Sequence, residues 1–218
     1  MSSAWNGQGQ EARLDGLLMS KYTSLLSRLP SRFYVKFLTD IFFAEINGQY
    51  SLVEQHIFLD QVEEFFDSSS KRIFNGQGGL QKEQLSFPAL LLQIAALALQ
   101  LLPLDYNRAL DDLCVGRSFQ ELSSDYADCA AKILLLLGKE RTTLLSIQMA
   151  LLRASWLKND GQVVESWHAL GQAVRDAQQI GLHQDGQSSA HMTERSAVQL
   201  WDLELRRRVM LNLVVWDR

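Results

Sequence analysis

The sequence predicts an all-α protein, an irregular domain of paired antiparallel helices, about eight or nine in number. Three observations carry that prediction. Leucine occurs 38 times in 218 residues, and leucine is among the better helix formers. Proline occurs three times and glycine 13 times, too few for the tight turns of a β-sandwich. Apolar residues recur at steps of three and four through most of the chain, and no segment demands a strand. A composition of 47% hydrophobic and 21% charged residues is globular, and the length suits one domain or at most two small ones.

The elements follow in order. Residues 11–27 place Leu14, Leu18, Tyr22 and Leu25 on one helical face, and Pro30 ends that segment. Ser31 is an N-cap candidate for a second helix with Val35, Leu38, Phe42 and Ile46 in register, Phe37 and Ile41 widening the stripe. Asn47-Gly48 is its stop signal. A third, short helix spans His56 to Phe66, with Phe58, Val62 and Phe65 on one side. Residues 67–86 are rich in serine, glycine and charge, and predict the longest loop. The most apolar run, Ala89 to Leu102, is bracketed by Pro88 and Pro103. Its 14 residues are short of the roughly 20 that a membrane span needs, so it reads as a buried core helix.

A short helix follows over Asp105 to Cys114. Ser118 opens a longer one, which ends at Gly138. Thr142 or Thr143 starts the next, with Leu145, Met149, Leu152 and Trp156 aligned, and Asn159-Asp160-Gly161 makes the turn after it. Residues 162–180 form the clearest amphipathic pattern: Val163, Trp167, Leu170, Val174 and Ala177 predict the buried face. Gly181 sits where a left-handed cap falls, with Leu182 folding back on the last turn. A polar stretch from Gln184 to Ser196 precedes a final helix. Val198, Trp201, Leu205, Val209, Leu213 and Trp216 line one side of it, and Asp202–Arg206 and Glu204–Arg208 are acid-before-base pairs at i,i+4.

Charge and cysteine content exclude several functions. A net charge of -4 and a pI near 5.6 provide no general attraction to phosphate backbones. The basic run Arg206-Arg207-Arg208 is isolated among acidic residues 202, 204 and 217, and reads as helix pairing rather than a nucleic-acid patch. Two cysteines, Cys114 and Cys129, cannot build a zinc ribbon, a six-thiolate cluster or a disulfide framework, and read as buried free thiols. The N-terminus has no basic region leading into an apolar core, so no secretory signal is read there.

No catalytic pattern emerges. The histidines His56, His168, His183 and His191 never pair at i,i+4 as two metal ligands on one helix do. His183, Asp185 and His191 lie close in sequence but in loop composition. Asp111-Asp112 lacks the third carboxylate of an aspartate-rich magnesium motif, since Val115 stands there. The glycines at 76, 78 and 79 carry no phosphate-loop lysine. Trp167-x-x-Leu170-Gly171 opens like a tetratricopeptide unit, but the rest of that repeat fails.

Two blocks carry a resemblance. The first runs from Trp167 to Ala177, with Gly171, Ala173 and Ala177 as its small residues, and continues into Ile180-Gly181-Leu182-His183. The second is Glu204-Leu205-Arg206-Arg207-Arg208, followed by Trp216-Asp217-Arg218. Together they resemble the fungal transcription-factor regulatory domain, or middle homology region, which accompanies binuclear zinc cluster DNA-binding domains. Leu29-Pro30, Tyr34, Leu38, Phe42-Phe43, Ile46-Asn47 and Phe58 resemble that domain's opening. The resemblance divides the chain into an N-terminal helical segment, 1–28, and the regulatory domain, 29–218.

The resemblance implies a nuclear, non-enzymatic regulator of transcription. It implies conformational or effector-dependent control, with other transcription-factor domains or transcriptional regulators, and a small-molecule effector, as partners. No cofactor is expected in this chain; zinc belongs to a separate cysteine-rich DNA-binding domain. No nucleic-acid or membrane contact is expected from these residues. The chain departs from the pattern where Val209-Met210-Leu211 replaces an aromatic residue. It also stops at Arg218, where the family pattern runs on, so the domain is expected to be incomplete there. Within the blocks, Ala173 and Ala177 predict close helix approach, Trp167 a large buried surface, and Glu204, the arginines and Asp217 a bridge between helices. The alternatives are a helical protein-binding scaffold unrelated to transcription, and an all-α enzyme whose carboxylates or histidines would converge in a cavity.

Overall fold

The computed structural model describes residues 11–12, 16–74, 80–184 and 197–217. In chain order the helices are α1 (Gly16–Leu26), α2 (Arg32–Ile41), α3 (Asn47–Tyr50), α4 (Gln55–Glu64), α5 (Ser70–Phe74) and α6 (Lys82–Gln100). They continue with α7 (Asp111–Cys114), α8 (Phe119–Leu137), α9 (Leu144–Asn159), α10 (Val163–Gln179) and α11 (Ala197–Trp216). Wide π-helical turns at Phe42–Ile46 and Phe65–Ser69 join α2 to α3 and α4 to α5. The described residues therefore form nine continuous helices. Among the described residues the one strand pairing is two residues long: β1 (Glu11–Ala12) lies antiparallel to β2 (Leu80–Gln81).

The centre is a three-helix unit of α6, α8 and α9. Gln100 Nε2 donates to the Trp156 carbonyl at one end and Lys82 Nζ to the Glu140 carbonyl at the other, so α6 and α9 run parallel. The chain between them, α8, runs the opposite way. Trp156 Nε1 donates to Ser123 Oγ at 2.9 Å, and Ser123 Oγ donates to the Ala96 carbonyl at 2.7 Å. This relay ties α9 to α8 to α6 and satisfies the polar end of a buried tryptophan. On another side α2 packs on α6, and Phe43, Phe58, Phe87 and Phe65 form a chain of ring contacts at 5.5–5.8 Å. The outermost helices are α10, against α9, and α11, against both α9 and α10.

Local capping signals hold at α8 and α9 and fail at α2 and its continuation. Ser118 accepts from the Glu121 N–H while Glu121 accepts from the Ser118 N–H, a complete capping box. Thr143, rather than Thr142, caps α9 through the Ser146 N–H. Ser31 has the extended backbone of a cap but makes no side-chain cap bond. Asn47-Gly48 does not stop the helix; it continues to Tyr50 and ends at Ser51 in a left-handed conformation, φ 45°. The Asn47 side chain instead clasps the following turn, with Nδ2 donating to the Val53 carbonyl and Oδ1 accepting from the Val53 N–H.

Two further expectations are corrected. Pro88 does not precede the apolar helix but lies inside α6, which begins six residues earlier at Lys82. A proline there withdraws the N–H that the Gln84 carbonyl would accept and loosens that turn. The neighbouring Leu85 carbonyl takes a bond from the buried Tyr22 hydroxyl at 2.7 Å. The predicted loop at 67–86 shrinks for the same kind of reason. Helix persists to Phe74 because the π turn at 65–69 keeps Phe65 and Ser69 buried in succession. Among the described residues, no helix is long and apolar enough to cross a membrane.

Candidate functional site

The two family-like blocks meet the rest of the fold at its edge. In α10 the buried positions are Ser166, Leu170, Ala173 and Ala177. The small side chains of Ser166, Ala173 and Ala177 let α10 lie close to α9, and Ser166 Oγ donates to the Ala154 carbonyl at 2.7 Å. The expected face was rotated from this one. Trp167 is 65% exposed, and Val163 and Val164 are exposed beside it. The reason is steric: a close approach between backbones needs Ser and Ala at the seam, which turns the bulky indole about 100° away along the helix. Trp167 therefore supplies no core surface; its ring lies instead near that of His168, 5.4 Å between centroids. Gly171 is half-buried, and a Cβ there would meet only Arg175 Nη1 at an ordinary 3.6 Å.

The end of α10 matches expectation. Gly181 has φ 75°, the left-handed region. The Leu182 N–H returns to the Ala177 carbonyl at 2.9 Å and the Gly181 N–H to the Gln178 carbonyl at 3.0 Å, which together make a Schellman motif. Leu182 is buried. His183 is exposed and follows the cap. Asp185 and His191 lie outside the described residues.

In α11 the basic run splits by face. Arg206 pairs with Asp202 at 2.8 Å, Arg207 is exposed, and Arg208 points inward. Arg208 meets Glu204 at 3.6 Å on its own helix, and crosses to Glu54 and the Ser51 carbonyl, both at 3.4 Å. Asn212 Nδ2 donates to the Tyr50 carbonyl at 2.9 Å, and Trp216 packs edge-on to Tyr50. Arg208 bridges α11 to Glu54 and the Ser51 carbonyl, whereas Glu204 and Arg206 pair within α11 itself. Asp217 is exposed at the end of α11; among the described residues no arginine is shown reaching it. Arg218 lies outside them. Nothing local in the sequence marks Glu54, which is 154 positions from Arg208.

Beside this seam a groove of about 270 Å³ opens between the end of α8, the turn 139–141, α9 and α10. Leu134, Ile147 and Ala150 line its floor. Its rim carries a polar chain: Lys139 Nζ and Gln172 Nε2 both donate to Asp176 Oδ1, at 3.2 and 2.7 Å. Arg141 stands on the same rim. Among the described residues no histidine or thiol lines the groove. Cys114 and Cys129 are buried and unbridged, and burial pushes both thiols up, the opposite of what a zinc thiolate needs.

Comparison with known proteins places this architecture. A family model described as the fungal specific transcription factor domain matches residues 39–218. The chain belongs to that family. It is 27% identical over 190 residues to the probable transcription factor sol4 of Alternaria solani, covering 86% of this chain and 32% of that protein. It is 23% identical over 194 residues to the transcription factor xilB of Penicillium rubens, covering 88% and 27%. The chain thus spans about a third of the length of these relatives. No solved structure matches. The match covers both α10 and α11, so the small-residue seam, the Gly181 cap and the Arg208 bridge all lie within the family region. Membership of a transcription-factor family fits a regulatory rather than a catalytic role.

Proposed function

We propose that this chain is the regulatory part, not the DNA-contacting part, of a zinc-cluster-type transcription factor acting in the nucleus. The family match over residues 39–218 carries the reading. The relatives named as transcription factors are about three times as long, which leaves room in such proteins for a separate reader of DNA. Control is conformational: α11 is held to the body through the buried Val209 and Leu213 and through the partly exposed contacts of Arg208, Asn212 and Trp216. A shift of α11 would change what the domain presents to other transcription-factor domains or regulators. A small-molecule effector would be taken by the groove between α8, α9 and α10, whose apolar floor and charged rim suit an amphipathic molecule.

The reading is tested by inserting residues 1–218 between an unrelated DNA-binding domain and activation segment, and measuring reporter output in yeast. Output is expected to differ from that of the same fusion without the insert, and Arg208→Ala is expected to move it again. Output equal with and without the insert, at equal protein level, refutes the regulatory role.

A further inference from the structure

We propose that the outer face of α11 is a contact surface for a second copy of this chain, the two helices pairing antiparallel about a two-fold axis. The observation is a stripe on that helix. Leu200, Glu204, Arg207, Leu211 and Val214 follow one another at steps of four, three, four and three, and all five are exposed. That is the seam spacing of two helices lying side by side. The opposite face of α11 is already used: Val209 and Leu213 are buried, and Arg208, Asn212 and Trp216 hold the body. A helix with apolar residues on two sides has two surfaces to cover.

The order of residues along the stripe selects the occupant. An axis passing between Leu205 and Arg206 sets Glu204 against the partner's Arg207 and Arg207 against the partner's Glu204. The same axis sets Leu200 against the partner's Leu211, and the reverse. Every pairing occurs twice, as an isologous interface requires. The parallel arrangement fails, because it would set Glu204 against Glu204 and Arg207 against Arg207. Two ion pairs flanked by leucine contacts fix direction and register, the role that polar residues play in a helical seam. Glu204 also meets Arg208 of its own helix, and a carboxylate has two oxygens with which to serve both cations. The helix is about 30 Å long. One such pair of helices makes a small interface, so the dimer is expected at micromolar concentrations and above.

The test is sedimentation velocity on the full chain across the micromolar range, with far-UV circular dichroism to monitor helix content. The wild-type chain is expected to shift from 24.7 kDa to twice that mass as concentration rises. Glu204→Arg alone and Arg207→Glu alone each place like charges across the axis, so each variant is expected to remain monomeric with unchanged helix content. Mixing those two variants restores both pairings and is expected to restore the dimer; the double variant Glu204→Arg/Arg207→Glu is expected to dimerise by itself. A wild-type chain that stays monomeric throughout overturns the proposal, as does a dimer that neither single reversal weakens, or single variants whose mixture stays monomeric. The first of these outcomes would leave the stripe to a different partner.

Discussion

Two tryptophan-bearing helices lie side by side in this protein and bury opposite things. In α9, Trp156 is 2% exposed and its indole N–H completes a relay through Ser123 into α6. In the neighbouring α10, Trp167 stands in solvent while serine and alanine occupy the seam. Both tryptophans lie in register with apolar residues at helical spacing. The difference is what each helix meets. The inner side of α9 faces α6 and α8 and has room for a large ring, whereas the inner side of α10 meets α9 through small side chains and lies close. A large apolar residue in register is therefore a core residue only when the facing surface leaves room for it.

The largest expected effect breaks that contrast directly. Trp156→Ala should cost about 3–5 kcal/mol in urea unfolding, since it empties a core site and removes the donor to the Ser123 hydroxyl. Trp167→Ala should change stability by no more than about 0.5 kcal/mol, the usual range for an exposed position. Comparable losses from the two substitutions would show that the indole of Trp167 is covered in solution.

The two glycines of α10 sharpen the same point at a smaller scale. Gly181→Ala should destabilise by about 1–2 kcal/mol, because the left-handed conformation at φ 75° is strained for any residue with a Cβ. Gly171→Ala lies within the helix, where a Cβ meets only ordinary contacts, and should be neutral or stabilise by up to about 1 kcal/mol. Thermal unfolding of the pair, read as a difference in midpoint, checks both.

The smallest effect separates the core helices from their caps. Hydrogen bonds from the Ser118 N–H and hydroxyl hold the Glu121 carboxyl below its ordinary value of 4.5. A group with a lowered folded-state pKa stabilises fully above its unfolded value, and that contribution disappears as pH falls through the folded value. Stability against pH should therefore decline below about 4.5, and Glu121→Gln should flatten that part of the decline. Ser118→Ala should cost about 1 kcal/mol at neutral pH. A pH profile identical in Glu121→Gln and wild type would show that the capping box contributes nothing to it.

These contrasts show what was legible. Ser118, Thr143, Gly138, Asn159-Asp160-Gly161 and Gly181 were readable because caps and turns act on backbone groups within four residues of themselves. The family blocks were readable for a related reason: short runs of unusual residues such as Gly-Leu-His and three arginines stand out against a leucine-rich background. Pro88 misled because proline is normally a boundary, and only the surrounding core made a loosened first stretch of α6 tolerable. The acceptors of Arg208 were not readable at all, since Glu54 and Ser51 are ordinary residues of a distant turn.

By itself, then, the amino-acid sequence determined the all-α class and most helix ends, because these rest on composition, on period and on interactions a few residues long; membership of a transcription-factor family rests on the likeness of its blocks to the family pattern. Only the tertiary structure decided which side of α10 faces inward, that Trp156 and not Trp167 is core, that helix runs through Pro88 and past Phe66, and that α11 turns one face to the body and keeps a second one exposed. Those outcomes depend on the distance and shape of the neighbouring helix, and a residue's own sequence neighbours carry no record of either.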